Sequence, residues 1–548
     1  MSRTHRYVLI AGLFAVTLLG FKALPLDDDF FAIRKNFQIY GKLYEHVVTG
    51  YVNPVDPNIL MRTGIEAMLN DLDPYTTFFD EGDVVDIRMQ VQGNVGTVGL
   101  NLTKRNEQLT VSSPDEGASG FRQGVRAGDI IIAIDGRPTD SLSVSDAQRL
   151  LAGEPGTGVE ISVSREGLLE PLGFFLNREE PTLQNVSYQG LVADNRLAYI
   201  RLDQFGRGAG EEVRQAVTNL LEEGTELEGL ILDLRNNGGG LLEAAVTISG
   251  LFVPQDTRIV SMRGRQPQSY RIYNSEQAPL APDLPLVVLV NEESASASEI
   301  VAGAMQDLDR GVVLGETTFG KGIVQVVMPM PFNTSLKITT AKYYIPSGRS
   351  IQSFAVQQAG TRAHRQVEVS RNFSTAAGRT VRDGHGIEPD QRVSLPPSSP
   401  LEEALIRRGA FFFFANAYAA ENPDISSDFE VDDAVFAAFR SWLDEEEFTY
   451  ETGAERTSAL LAEELEDLQY TSAGNAIASL HRAILEEKNQ DFDRHRERLA
   501  TQLRSEILAR YFGQTAQIEA SFSHDIQFQA AVQLLFDARA YRAILQPS

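Results

Sequence analysis

The chain has no cysteine. Disulfides, thiol nucleophiles and cysteine-bound metals are therefore excluded. Basic residues are in short supply: 49 Lys and Arg face 75 Asp and Glu, a formal net charge of −26. Phosphate backbones are bound by clustered cations, so this balance argues against a nucleic-acid partner. Several catalytic signatures are missing too. No serine stands three residues before a lysine, and neither G-x-S-x-G nor H-E-x-x-H occurs, which removes three hydrolase classes. The nearest approach to a phosphate loop is Gly315 to Lys321. There Gly322 replaces the magnesium-binding hydroxyl, and a β-branched run follows where a helix should start. No metal and no other cofactor is expected.

What is present suffices for several domains. The 548 residues are 43% hydrophobic and 23% charged, a globular composition. Arg3, His5 and Arg6 precede the apolar run Tyr7–Phe21, the pattern of an export signal. The run is shorter than the about 20 residues of a membrane span. Phe21-Lys22-Ala23 is a poor cleavage site, which favours an uncleaved anchor.

One stretch, 287–325, organises the chemistry. An apolar β-branched run to Val290 predicts a buried strand, and Ile300, Ala304 and Leu308 share a helical face. Ser294, Ser296 and Ser298 thus fall where a strand turns into a helix N-terminus, whose free N–H groups favour developing negative charge. After a second strand, Gly311–Leu314, the loop Gly315–Gly320 leads to Lys321. A neutral lysine can act as general base for a serine, provided it is desolvated. Lys321 lies between Phe319 and Ile323-Val324 with no acid adjacent in sequence, and Gln325, four residues on, would face the same way in a strand.

On these residues the chain resembles the carboxy-terminal processing, or tail-specific, proteases. These are serine endopeptidases with a Ser–Lys dyad and a PDZ domain. Further matches are Leu72-Asp73-Pro74-Tyr75-Thr76, the stretch Thr339–Gln352 and Gly384–Asp390, so the resemblance spans residues 35–395. It implies Ser296 as nucleophile, Lys321 as base and Gln325 as its support. The oxyanion amides would be Gly239 (or Gly240), in the turn after Asp233-Leu234-Arg235, and Ala297. Val98-Gly99-Leu100 would be the loop that captures a peptide carboxylate.

The implied fold is α/β: a PDZ domain inserted before a crotonase-like protease core, with a helical N-terminal segment and an all-helical C-terminal extension. The expected division is a signal peptide or membrane anchor (1–26), N-terminal helices (30–85), PDZ domain (86–178), Ser–Lys core (179–395) and helical C-terminal domain (401–548). Two departures from the family pattern stand out. Ala152 occupies a position where relatives often carry arginine, and Gly238 one where they often carry proline or serine.

The implied function is an exported serine endopeptidase that cleaves unstructured C-terminal tails of envelope proteins, with recognition gated by the PDZ domain. Protein C-termini are its expected partners; an activating adaptor, membrane anchoring and homo-oligomer formation are further implied possibilities. The expected location is the periplasmic side of a bacterial envelope, anchored or secreted. The competing reading is a non-catalytic PDZ scaffold or chaperone, which binds without turnover. Beyond the linker Pro396–Pro400, helices are expected at Leu401–Ala420, Asp432–Glu446, Thr457–Leu468, Asn475–Glu487 and Asp491–Tyr511. Phe411–Phe414 must be buried, against the core or a partner, and the helical tail would have a docking, dimerising or gating role.

Overall fold

The computed structural model describes residues 28–80, 96–105, 107–115, 117–180, 184–224, 226–265, 269–353 and 370–546. The expected signal or anchor lies outside them. Among the described residues no helix is long and apolar enough to cross a membrane.

The described residues up to Leu72 form one compact unit. It contains α1 (Asp28–Gly50) and α2 (Pro57–Asn70). Asp56 starts α2 by accepting from the Asn58 and Ile59 N–H groups at 2.7 and 3.3 Å. Pro57 follows, at a position where a missing N–H costs nothing. The apolar residues of α1 lie largely exposed: Ile33, Phe37 and Leu43 are 65, 77 and 59% exposed.

The second unit, Asp73–Ser548, begins with β1 (Thr77–Phe79). The first of its sheets runs β2 (Leu100–Arg105), β3 (Gln108–Pro114), β4 (Ile130–Ile134), β6 (Gly158–Ser164) and β7 (Leu172–Asn177). A short β5 (Arg137–Pro138) pairs with β4. A short helix α3 (Ser119–Arg122) and α4 (Val144–Leu151) pack on it. Ser143 caps α4 in a reciprocal box with Asp146. This is the PDZ domain, and β2 is its edge strand.

The core sheet has the order β19-β14-β13-β10-β9-β8. In chain order these are β8 (Val186–Val192), β9 (Leu197–Leu202), β10 (Gly229–Asp233), β13 (Leu286–Val290), β14 (Val312–Gly315) and β19 (Gln391–Arg392). All neighbours are parallel except β8 and β9. Continuous apolar strands such as Leu286-Val287-Val288-Leu289-Val290 mean that both faces are covered. One face carries Ile200, Leu232 and Val288 under α5 (Ala209–Glu223), α6 (Leu242–Gly250) and α7 (Ala297–Asp307). The other carries Tyr199, Ile231 and Val287.

A second sheet, β1-β16-β11-β12, is built from β11 (Arg258–Gly264), β12 (Arg271–Asn274) and β16 (Thr334–Tyr344), with β15 (Ile323–Met330) paired to β16; β17 (Asn372–Ser374) and β18 (Thr380–Arg382) form a separate antiparallel pair.

The C-terminal helices are α8 (Pro400–Arg408), α9 (Ala410–Glu421), α10 (Asp433–Glu445), α11 (Gly453–Asp467), α12 (Thr471–Lys488), α13 (Asp491–Arg494), α14 (Arg496–Ser521, kinked at Gly513), α15 (Ile526–Phe536) and α16 (Ala538–Leu545). The helix expected over 401–420 is two, because Gly409 adopts φ 66° at the break. Phe411, Phe412 and Phe414 are buried. The last individually bounded helix was expected to end at Tyr511; within the helical domain expected to 548, helix also continues through α15 and α16. Phe528, Ala531, Leu534, Leu535 and Tyr541 from these two helices cover the second face of the core sheet. Meanwhile α9 docks on the PDZ domain: the Arg105 guanidinium lies 4.2 Å from the Phe412 ring centre. Gly128 lies so close to α9 that a Cβ there would be 2.1 Å from the Asn416 amide.

Candidate active site

The candidate nucleophile sits where β13 turns into α7. The three serines of this turn have different surroundings. Ser294 donates through its hydroxyl to the Leu234 carbonyl at 2.8 Å, and Ser298 to the Asn237 carbonyl at 2.8 Å. Both are fully buried and fasten the turn to the loop that follows β10. Ser296, between them, is half-buried and has φ 56° and ψ −109°. A non-glycine residue persists there only when its surroundings over-determine it, and such strain clusters at functional sites.

Those surroundings centre on Glu299, at the third position of α7. One carboxylate oxygen accepts from Ser296 N–H and Lys321 N–H, each at 2.8 Å. The other accepts from the Thr318 hydroxyl at 2.6 Å and Gly320 N–H at 2.7 Å. One buried group therefore pins the backbones of both candidate catalytic residues. Burial pushes its pKa up to about 7 against the pull of these donors. No acid adjoins Lys321 in sequence, but the fold brings Glu299 under its backbone.

The Lys321 amine is pushed below its usual range, first by burial and then by Lys337, while Glu299 opposes. Among the described residues it makes no hydrogen bond to Ser296. It lies 5.1 Å from the centre of the Tyr75 ring, within cation–π range. Gln325 does not hold the amine either: its Nε2 donates to the Tyr75 carbonyl at 2.7 Å. Tyr75 is set by Asp73, whose Oδ1 accepts from the Tyr75 and Thr76 N–H groups at 2.8 and 2.7 Å. Its phenolic oxygen is buried with no hydrogen-bond partner among the described residues, and burial pushes its pKa up to about 12.

Gly239 packs directly on the nucleophile turn. A Cβ on it would lie 2.8 Å from Ser296 Cβ and 2.9 Å from Ala297 N. With φ 97° it also needs glycine's freedom. Its N–H donates to Asn237 Oδ1 at 2.9 Å. Asn237 itself is anchored by Nδ2 on the Leu202 carbonyl at 2.7 Å. Ala297 begins α7, so its N–H has no intrahelical acceptor. Gly239 thus abuts both Ser296 and the Ala297 amide, while its own N–H is engaged internally.

The PDZ loop Val98-Gly99-Leu100 leads into the edge strand β2. Gly99 has φ 68°, and a Cβ there would come within 2.1 Å of Ala118 Cβ. The Val98 and Gly99 carbonyls accept from Gly120 and Asp115 N–H at 2.9 Å each, so the loop is held from behind. Beside Ala152, Arg178 donates to the Leu150 and Leu151 carbonyls at 2.9 Å each, closing the C-terminal end of α4.

Glu299 and Tyr75 were not among the sequence candidates. The Ser296-x-x-Glu299 capping-box spacing was a visible signal for the first.

A PDZ sheet, a doubly covered core sheet and a strained serine at a strand–helix turn define a peptidase with a peptide-binding module. Comparison with known proteins agrees. Residues 196–358 match peptidase family S41, 110–165 match the PDZ domain, and 401–535 match "Probable PDZ-protease, C-terminal helical domain". The carboxy-terminal-processing protease of Bartonella bacilliformis is 33% identical over 353 residues, covering 64% of this chain and 80% of that protein. The carboxyl-terminal-processing protease of Synechocystis sp. is 36% identical over 301 residues, covering 54% and 69%. A solved photosystem II D1 C-terminal processing protease is 28% identical, with TM-score 0.37 over 66% of this chain and 88% of that one. The chain belongs to the carboxy-terminal processing protease family.

Proposed function

We propose that the chain is an exported Ser–Lys endopeptidase that cleaves unstructured C-terminal tails of envelope proteins. The supporting observation is the Glu299 carboxylate, which binds the backbones of Ser296 and Lys321 together. In this reading neutral Lys321 takes the proton from Ser296 Oγ as that oxygen bonds to the scissile carbonyl carbon. The developing oxyanion is held by Ala297 and Gly239 N–H. The Lys321 ammonium then protonates the leaving amine, and water, deprotonated by the same lysine, releases the acyl group.

The present geometry reads as a resting state. To act, Lys321 has to leave the Tyr75 ring, Gln325 has to reach it, and Gly239 N–H has to leave Asn237. A tail paired with β2 through its backbone, its carboxylate on the Val98–Leu100 loop, would supply differential binding energy for that change. The exposed apolar face of α1 suits pairing of copies. The Tyr7–Phe21 run suits an envelope protein, anchored or secreted on the periplasmic side.

The test uses a reporter protein ending in a disordered tail. Ser296→Ala and Lys321→Ala should each cut cleavage by several orders of magnitude, roughly as in other hydrolytic dyads and triads, while Ser296→Ala still retains the tail. Wild-type binding without turnover would instead favour the scaffold reading.

A further inference from the structure

The oxyanion loop does not stand on the core sheet alone. It leaves β10 through Arg235, and the Arg235 guanidinium is shared between two carboxylates. Nε and Nη2 donate to Asp233 at 3.0 and 2.6 Å. Nη1 and Nη2 donate to Asp525 in a two-pronged pair at 2.9 and 2.7 Å. Nη1 also reaches Gln527 Oε1 at 3.1 Å. Asp525 lies 290 residues further along the chain and is the cap of α15: its Oδ1 accepts from the Gln527 and Phe528 N–H groups at 3.0 Å each. Gln527 is fully buried and donates to the Val393 carbonyl at 2.8 Å. The first turn of α15 therefore grips the C-terminal ends of the core strands, the edge where open parallel sheets place their sites.

We propose that Asp525 is a positioning residue for the peptidase reaction: the C-terminal helices hold, through Arg235, the loop that presents Gly239 to the oxyanion. Only three residues separate Arg235 from Gly239. A two-pronged Arg–carboxylate pair fixes orientation as well as distance. Asn236 and Asn237 are pinned separately, by Asn291 Oδ1 at 2.9 Å and the Leu202 carbonyl at 2.7 Å, so losing the Asp525 contact tilts the loop without unravelling it. An oxyanion donor acts in the transition state and not on bound substrate, so the effect falls on kcat and spares KM. The proposal rests on the reading of Gly239 and Ala297 as oxyanion donors.

The experiment is steady-state cleavage of the tailed reporter by the full chain, with melting temperatures measured alongside. Asp525→Asn keeps a good helix cap but removes the charge and one of the two prongs. It should lower kcat about tenfold, within the range that small misplacements cost, with KM within about twofold of wild type. Asp537→Ala is the control. Asp537 caps α16 in the same way, accepting from Arg539 and Ala540 N–H at 3.1 and 2.9 Å, so its loss should leave kcat unchanged. Unchanged kcat in Asp525→Asn, or an equal loss in Asp537→Ala, overturns the proposal. Should Asp525→Asn fail to fold, Gln527→Met, which removes another acceptor of Arg235, is judged by the same criterion. Ser296→Ala in the same assay separates the two readings: if it still cleaves, the site assignment fails, whatever Asp525 does.

Discussion

The Lys321 amine lies 5.1 Å from the centre of the Tyr75 ring. Two opposing effects meet there. The ring face stabilises an ammonium by about 0.5–2 kcal/mol. The same ring helps exclude water, and desolvation, the largest influence on this amine, favours the neutral form. Desolvation should win. Tyr75→Ala is expected to lower kcat/KM at pH 7 by about 10- to 100-fold, with activity recovering at higher pH as the rehydrated amine regains its ordinary pKa. Tyr75→Phe keeps the face and removes an unpartnered buried hydroxyl. It should leave the pH profile in place and stabilise the fold by about 1 kcal/mol. A pH–rate profile with a urea melt decides both.

Lys337 gives an independent handle on the same amine. Its positive charge lowers the Lys321 pKa and is the second influence after burial. Lys337→Gln should move the acid limb of kcat/KM to higher pH, by less than Tyr75→Ala does. Added salt should move the wild-type limb the same way and the variant's hardly at all, because screening removes what the substitution has already removed.

Glu299 should make stability depend on pH in an unusual direction. Its pKa rises from 4.5 to about 7 on folding, so between those values the folded state holds a proton that the unfolded chain has lost. Its contribution is fully present below pH 4.5 and lost as pH rises through about 7. The stability of the wild type minus that of Glu299→Gln should therefore fall between pH 4.5 and 7 and level off above. Denaturant titrations at several pH values measure this difference. A difference that grows with pH would show that the four donors around the carboxylate outweigh its burial.

The elements around Ser296 and Lys321 were legible because each carries a local signal. The apolar β-branched run to Val290 gave β13, the spacing of Ile300, Ala304 and Leu308 gave α7, and the glycines after Arg235 gave the loop. Three things were not legible, for one reason: they depend on residues far apart in the chain. The carboxylate under Lys321 comes from Glu299. The ring facing its amine comes from Tyr75, about 250 positions away. The second cover of the core sheet comes from α15 and α16. The uninterrupted apolar strands did imply such a cover, but no periodicity says which helices supply it. Gln325 illustrates the same limit. Its spacing from Lys321 fitted a shared strand face, yet β15 begins only at Ile323, and the pairing with β16 shifts register between Val324 and Gln325.

Adjacent glycines in the loop after β10 offer the sharpest contrast. A Cβ at Gly239 would lie 2.6 Å from the Ala295 carbonyl oxygen and 2.9 Å from Ala297 N. These are backbone atoms that cannot swing aside, and φ 97° adds strain for any L side chain. The methyl would also crowd the Ala297 N–H that the oxyanion is expected to use. Gly239→Ala should therefore cut kcat by at least about 100-fold, the scale of losing one oxyanion donor, with tail binding to Ser296→Ala background protein unchanged. At Gly238 a Cβ would meet nothing within 4 Å, so Gly238→Ala should leave kcat within about twofold and raise stability by about 0.4–1 kcal/mol through the unfolded chain. Equal kinetics in the two variants would remove Gly239 from the catalytic loop.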